Sequence, residues 1–342
     1  MTVMNDIFPL LFNCFVALLL ITFVFSAAIK SDRLYQRLAA LVMRKMGRAL
    51  PALPEAALRA AFREPASLPG RAAAKVVIYA PALAAASLVT LCASLPFCTF
   101  IPIIDNGADI IQMAQLLLLS EAFAVAALCS LGTKEGLDFA AAEAKAALKL
   151  LVPLAASAAS LSFFFTQNGV DRDPFSLNSF SVVGRFSAMS PFGICGSLLF
   201  AFIILSQIPH RGTAESSELF EASEMPDFKG APRALLQLWS IARSFIIISV
   251  VVFVFFPHNI IENIGEGVGI AWYRQALSFA AFWLAVVLAR LFVVPLCQFA
   301  MNFIERRTPE KYAEAAMPLL LAASMALLWY EGLLLSQEAA LF

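Results

Sequence analysis

The 342-residue sequence predicts an all-α integral membrane protein: a single polytopic domain of about eight transmembrane helices with one interfacial amphipathic helix. Three observations carry that prediction. Hydrophobic residues make up 61% of the chain and charged residues 14%, with a mean hydropathy of +0.82, outside the range of a soluble domain. The apolar residues are gathered into runs long enough to cross about 30 Å of hydrocarbon as helices. Lysine and arginine alternate between the connections, abundant in one and scarce in the next.

The first apolar run, residues 7–29, has no positive residue before it, so it reads as a retained span rather than a signal peptide. Next comes SDRLYQRLAALVMRKMGRAL, in which Leu34, Leu38, Leu41, Val42 and Met46 share one helical stripe and the arginines and Lys45 take the remaining surface. That pattern fits a basic helix lying in the interface plane, or a basic loop that only sets topology. A proline-punctuated connection with a short helical PEAALRAAFRE leads to the later spans, at 76–97, 110–131, 146–165, 191–208, 235–256, 272–297 and 315–335. Connections after the odd-numbered spans hold nearly all the lysine and arginine, whereas 99–109 and 258–270 hold none. The positive-inside rule then places both termini on the outer face and the odd connections in the cytoplasm.

Polar residues inside the spans are few. Glu121 falls near the centre of the third span and Arg290 well inside the seventh. A charge at mid-depth costs roughly 3 kcal/mol or more, so it is normally paired or placed on an ion path. Glu121 is therefore either an ion-path residue or the structural partner of a basic group such as Arg290. Arg290 itself is permanently charged and cannot relay protons. Arg243 and Lys149 lie nearer the cytoplasmic ends, where long stems can snorkel. Pro153 and Pro295 are expected to bend or open their spans locally.

The fifth and sixth spans are joined by a polar loop, residues 209–234. It holds Glu215, Glu218, Glu221, Glu224 and Asp227 with few positive charges against them. Either it is a solvated charge run, or it is a cytoplasmic surface with work to do, since a short connection would serve topology equally well.

Several function classes drop out. Net charge is zero, with nothing to suggest nucleic acid as a partner. The six cysteines are scattered singly, without a CxxC pair, and read as buried free thiols rather than metal or cluster ligands. His210 and His258 sit at loop edges with no partners at ligand spacing. No phosphate-binding loop, nucleophile constellation or nucleotide fingerprint is present, so no metal or catalytic residue is assigned.

Four regions of the chain resemble subunit 1 (the H subunit) of respiratory complex I, the NADH-quinone oxidoreductase, and its counterpart in energy-converting hydrogenases of the formate-hydrogenlyase type. The stretch LVMRKMGRALP resembles the family's basic pair followed by Gly-Pro: Arg44, Lys45 and Gly47 fit, and Arg48 stands where the proline belongs. LGTKEGLDFAAAEAKAALKLLVP resembles the hydrogenase-type connection into span four, with Lys145 close to a family arginine. ESSEL…DFKG resembles the Glu-x-x-Glu-Leu…Glu-Tyr-x-Gly of the family's acidic loop, through Glu215, Glu218, Leu219, Asp227, Phe228 and Gly230. FIERRTPEKYAEAAM resembles the basic, proline-containing lead into the last span. The chain also departs from the pattern. Pro209, His210, Arg211 and Gly212 replace the Pro-Phe-Asp that opens the loop; Leu205 or a neighbour replaces a span-five glutamate, and Val152 or Pro153 a span-four carboxylate.

The resemblance implies a non-catalytic membrane subunit of a multisubunit oxidoreductase in a bacterial inner membrane. Such a subunit seats cytoplasmic iron–sulfur redox subunits, adjoins antiporter-like membrane subunits, and helps couple electron transfer to proton or sodium translocation. It would bind no cofactor of its own, with quinone a candidate ligand near Arg44, Lys45, Gly47 and Arg48 and iron–sulfur clusters in the partners. Glu215, Glu218, Glu221 and Asp227 would be the coupling residues, with Glu121, Lys145, Lys149 and Arg290 the ion-path candidates. The rival readings are a stand-alone secondary ion transporter using Glu121, and a purely structural anchor.

Overall fold

This computed structural model describes residues 15, 18–35, 37, 54–70, 72–94, 109–167, 191–208, 228–255, 272–307 and 310–339. Nearly all of them are helical. The helices are α1 (18–35), α2 (Pro54–Arg63), α3 (Ala74–Ser94), α4 (Ile110–Cys129), α5 (Lys134–Gln167), α6 (Pro191–Ser206), α7 (Ala231–Phe255), α8 (Trp272–Leu288), α9 (Val294–Arg307) and α10 (Glu310–Ala339). A π-helical turn, Ala289–Val293, joins α8 to α9 without a break. The protein is an all-α membrane protein. Six helical stretches among the described residues are long and apolar enough to cross a bilayer, and α6 is a shorter apolar helix. Helix is the natural solution, because hydrocarbon offers no partner for a backbone amide and the helix satisfies its own.

Local chemistry explains several boundaries. Asp109 caps α4 by accepting from the Ile111 amide at 2.9 Å. Only residues 130–133 separate α4 from α5; Gly132 supplies the left-handed turn (φ 66°), and Thr133 Oγ1 accepts from the Gly136 amide at 3.1 Å. Helix α5 thus begins twelve residues before Ala146, where hydropathy alone starts the span. Its leading stretch is rich in Ala, Glu, Lys and Leu, all strong helix formers. Pro295 lacks the amide that would close an α-helical bond to Leu291, and the chain accommodates it with the π turn just before it. Pro153, by contrast, lies inside a helix that continues through it.

Helix α7 is the axis of the bundle. Its residues from Ile241 to Val252 are all buried, packed by α3 on one side and by α8 and the π turn on another. Helices α3 and α4 run antiparallel, joined near one end by the Ala73 amide donating to Ser130 O at 2.8 Å. Helix α10 packs closely on α6, where Gly196 brings its backbone against Ser324, Leu327 and Leu328. Small residues at such crossings are how helices associate when lipid is as apolar as leucine. Leu284, Leu288, Phe292, Leu296, Phe299 and Phe303 instead form an exposed apolar stripe at helical spacing along α8 and α9.

Two stretches of connecting chain meet at the end of the bundle where α3, α5 and α7 begin. Ser67 and Lys229 form an isolated antiparallel bridge, the Lys229 amide donating to Ser67 O at 3.1 Å. Gly230 follows with φ +86°, and a Cβ there would lie 2.6 Å from Ala66 Cα. A left-handed L-residue costs about 1–2 kcal/mol, and here the backbone of 66–67 would also have to move. Gly230→Ala is therefore expected to lower the thermal unfolding midpoint of the detergent-solubilised protein by several degrees. An unchanged midpoint would show that this junction contributes nothing to stability.

Candidate functional site

One buried charge from each of α4, α5 and α7 converges on a single point. Arg243 is the thirteenth of the 25 residues of α7, its midpoint, and 1% of it is exposed. Its Nε lies 2.5 Å from Glu121 Oε1 on α4, and its Nη1 donates to Glu143 Oε1 on α5. The Nε contact is an ion pair without hydrogen-bond alignment, so Glu121 is held by charge more than by direction. Glu121 and Glu143 are both buried. They reach the same height because α4 and α5 are antiparallel, with Glu121 eight residues before the end of α4 and Glu143 nine after the start of α5. At 1.5 Å per residue both lie about 12–14 Å from the connecting turn, and Arg243 about 18 Å from the start of α7. Glu121 and Arg243 thus lie near the middle of α4 and α7 along their lengths.

Around this triad runs a chain of polar contacts. Arg243 lies over the Trp239 ring, one turn earlier on α7, at 5.1 Å from its centroid. Trp239 Nε1 donates to Ser120 Oγ at 2.6 Å, and Ser120 Oγ donates to the Ala84 carbonyl of α3 at 3.0 Å. One cluster thus ties together α3, α4, α5 and α7.

A second buried pair lies on the other side of α7. Arg290, on the π turn, donates through Nη2 to Asp32 Oδ1 of α1 at 2.8 Å. Its guanidinium sits 5.8 Å from the centre of Phe245, which stacks on Trp283 at 5.6 Å.

The two clusters differ in charge. Asp32 and Arg290 neutralise each other. In the triad two carboxylates share one guanidinium, a net charge of −1 when all three are ionised, and one proton brings the cluster to neutrality. Uncompensated charge in hydrocarbon is expensive. In the triad one guanidinium thus faces two carboxylates, whereas Arg290 faces the single carboxylate of Asp32.

Several sequence expectations are corrected here. The partner of Glu121 is Arg243, not Arg290, which belongs to Asp32. Arg243 does not snorkel: it is enclosed and ion-paired on two sides. Glu143, ten residues before Pro153, is a buried carboxylate of α5 that the sequence reading passed over. Lys145 and Lys149 sit on the exposed side of α5, turned away from Glu143. Cys92 and Cys297 are buried free thiols, but Cys129 and Cys195 are exposed. Glu331, unremarked in the sequence, is buried on α10 against Gly193 of α6, where a Cβ would come within 3.0 Å of its Cγ.

Glu215, Glu218, Glu221 and Asp227 of the acidic loop lie outside the described residues, as do Arg44, Lys45, Gly47, Arg48, His210 and His258. The residues flanking the loop are tied to the bundle: Ile208 O accepts from Gln298 Nε2 at 2.6 Å, and Phe228 is buried beside the Ser67–Lys229 bridge. Among the described residues no group of His, Cys, Asp and Glu is placed to hold a metal ion.

No protein-family model and no curated protein matches the chain. Among solved structures it is similar to a chain of the membrane-bound sulfane sulfur reductase, an archaeal respiratory membrane complex. That likeness has a TM-score of 0.64 and 14% sequence identity, and covers 94% of this chain and 99% of the other. At this identity the likeness is one of fold, and it extends end to end.

Proposed function

We propose that this chain is the membrane subunit of a complex I-like or energy-converting-hydrogenase-like respiratory complex, of the H-subunit lineage, and that it helps couple electron transfer to ion movement. The observation that carries the reading is the buried Glu121–Arg243–Glu143 triad, two carboxylates on one guanidinium, in a fold shared along its length with a chain of a respiratory membrane complex. The arrangement of motifs supports the same lineage: a basic stretch after the first span and an acidic loop between the fifth and sixth.

In this reading the basic end of the bundle faces the cytoplasm and seats iron–sulfur partner subunits, with antiporter-like subunits alongside in the membrane. Glu215, Glu218, Glu221 and Asp227 lie beneath the redox partners, where a change of charge alters their protonation. Phe228, Lys229 and Gly230 join that loop directly to α7, the helix that carries Arg243. A displacement of α7 changes how the guanidinium is divided between its two carboxylates, and with it the cluster's hold on its proton. Quinone, if used, would approach the stretch holding Arg44, Lys45, Gly47 and Arg48.

Purification in mild detergent followed by reconstitution tests the proposal. The wild-type chain is expected to bring iron–sulfur subunits with it. The Glu121→Gln complex should keep those subunits and its electron transfer while ion movement falls at least tenfold, since the amide keeps the shape and loses the titration. A chain that purifies alone would make it a transporter or a bare anchor. An intact Glu121→Gln complex that pumps normally would remove the triad from the ion path.

A further inference from the structure

Neither ion pair by itself holds Arg243 between its two carboxylates. The Nε contact to Glu121 lacks hydrogen-bond alignment, and Nη2 has no hydrogen-bond partner among the described residues. The Nη1 bond ties the guanidinium to Glu143, and the ion pairs alone do not keep it against Glu121. What fixes the guanidinium is the aromatic face beneath it, because residues four apart on a helix stack one above the other and a desolvated cation over an indole is held strongly.

We propose that Trp239 and Ser120 form a clamp that positions Arg243 and thereby sets the proton affinity of the triad. The proposal rests on the functional reading above and assigns these two residues within the same site. The indole cannot turn about its own axis while Nε1 donates to Ser120 Oγ at 2.6 Å. Ser120 in turn is held by its own donation to the Ala84 carbonyl at 3.0 Å, and it is fully buried. Ser120 is also the residue immediately before Glu121, so the group that fixes the indole and the carboxylate that meets the guanidinium ride on one turn of α4. Any slide of α7 against α4 must break the 2.6 Å bond or carry the ring, and the cation above it, relative to Glu121. Trp239 and Ser120 touch no transferred ion; they are positioning residues, and they make the triad's geometry depend on the register of three helices.

The other charged groups facing the triad are accounted for. Among the described residues the ion pairs and coulombic partners of Arg243 are Glu121 and Glu143. Lys145 and Lys149 of α5 lie on the opposite, exposed face, and Asp32 and Arg290 neutralise each other.

The test uses the reconstituted complex with three variants: Trp239→Leu, Trp239→Phe and Ser120→Ala. Trp239→Leu removes both ring and donor. It is expected to leave electron transfer intact, to cut coupled ion movement about tenfold, and to displace the pH profile of that movement. Trp239→Phe keeps an aromatic face and should recover most of the flux. Ser120→Ala removes only the fixing hydroxyl and should displace the pH profile with little loss of assembled complex. Wild-type pH profiles in assembled Trp239→Leu or Ser120→Ala would overturn the clamp while leaving the triad's role standing, because that role fails separately if Glu121→Gln pumps normally. Loss of assembly in all three variants would show that the contact is only structural, and would equally overturn the proposal.

Discussion

Arg243→Met is expected to be the most damaging single substitution in the bundle. It removes the only cation that the described residues place between Glu121 and Glu143 and leaves two buried carboxylates facing each other. Breaking a buried ion pair in this way costs about 3–5 kcal/mol, a large part of the stability of most folded domains. The expected result is a sharp fall in the monodisperse fraction in detergent and in the thermal midpoint. The loss comes from the stranded charges rather than from the missing guanidinium. A triple variant, Glu121→Leu with Arg243→Met and Glu143→Leu, is therefore expected to recover most of the folded yield, since a buried ionic cluster replaced by hydrophobic groups of similar volume is often neutral in stability. Its ion movement should remain absent, because no titratable group is left. If Arg243→Met alone folds as well as the wild type, the carboxylates do not need the guanidinium, and the triad is not an ion-paired site.

Arg290→Met should also be destabilising, by up to about 3–5 kcal/mol, because it breaks the buried ion pair with Asp32. The contrast appears in the compensated variant. Asp32→Asn with Arg290→Met is expected to recover stability and ion movement together, because that pair joins one guanidinium to a single carboxylate. Thermal unfolding and ion flux measured on both compensated variants separate a pair that holds the bundle together from a cluster that also carries protons. Recovery of stability without flux in the Asp32–Arg290 variant would place this pair on the path as well.

Much of the architecture was legible in the chain. Apolar runs, their lengths and the alternation of basic connections pointed to a polytopic helical protein, and an unusual charge in mid-run marked Glu121 and Arg290. Less visible were the partners. Glu143 falls in a stretch rich in Ala, Glu and Lys that resembles a connection, yet Ala140, Glu143, Ala147 and Leu150 form one buried stripe at helical spacing. That stripe was the available signal, muted because alanine contributes little to a hydropathy window. Arg243 looked peripheral because the strongly apolar run starts at Leu235. The helix in fact starts at Ala231, and its midpoint is the arginine. Asp32 was masked by the basic residues that follow it.

The sequence by itself determined that this protein is a helical membrane protein, because hydrophobic transfer and backbone satisfaction in lipid are sums over neighbouring residues and need no knowledge of contacts. Only the tertiary structure decided which charges meet. Arg243 and Glu143 are 100 residues apart and Arg290 and Asp32 are 258 apart. Their pairing depends on which faces of α1, α4, α5, α7 and the π turn are pressed together. A charge buried in hydrocarbon requires a partner, but its identity depends on helix register and crossing, which no local pattern encodes.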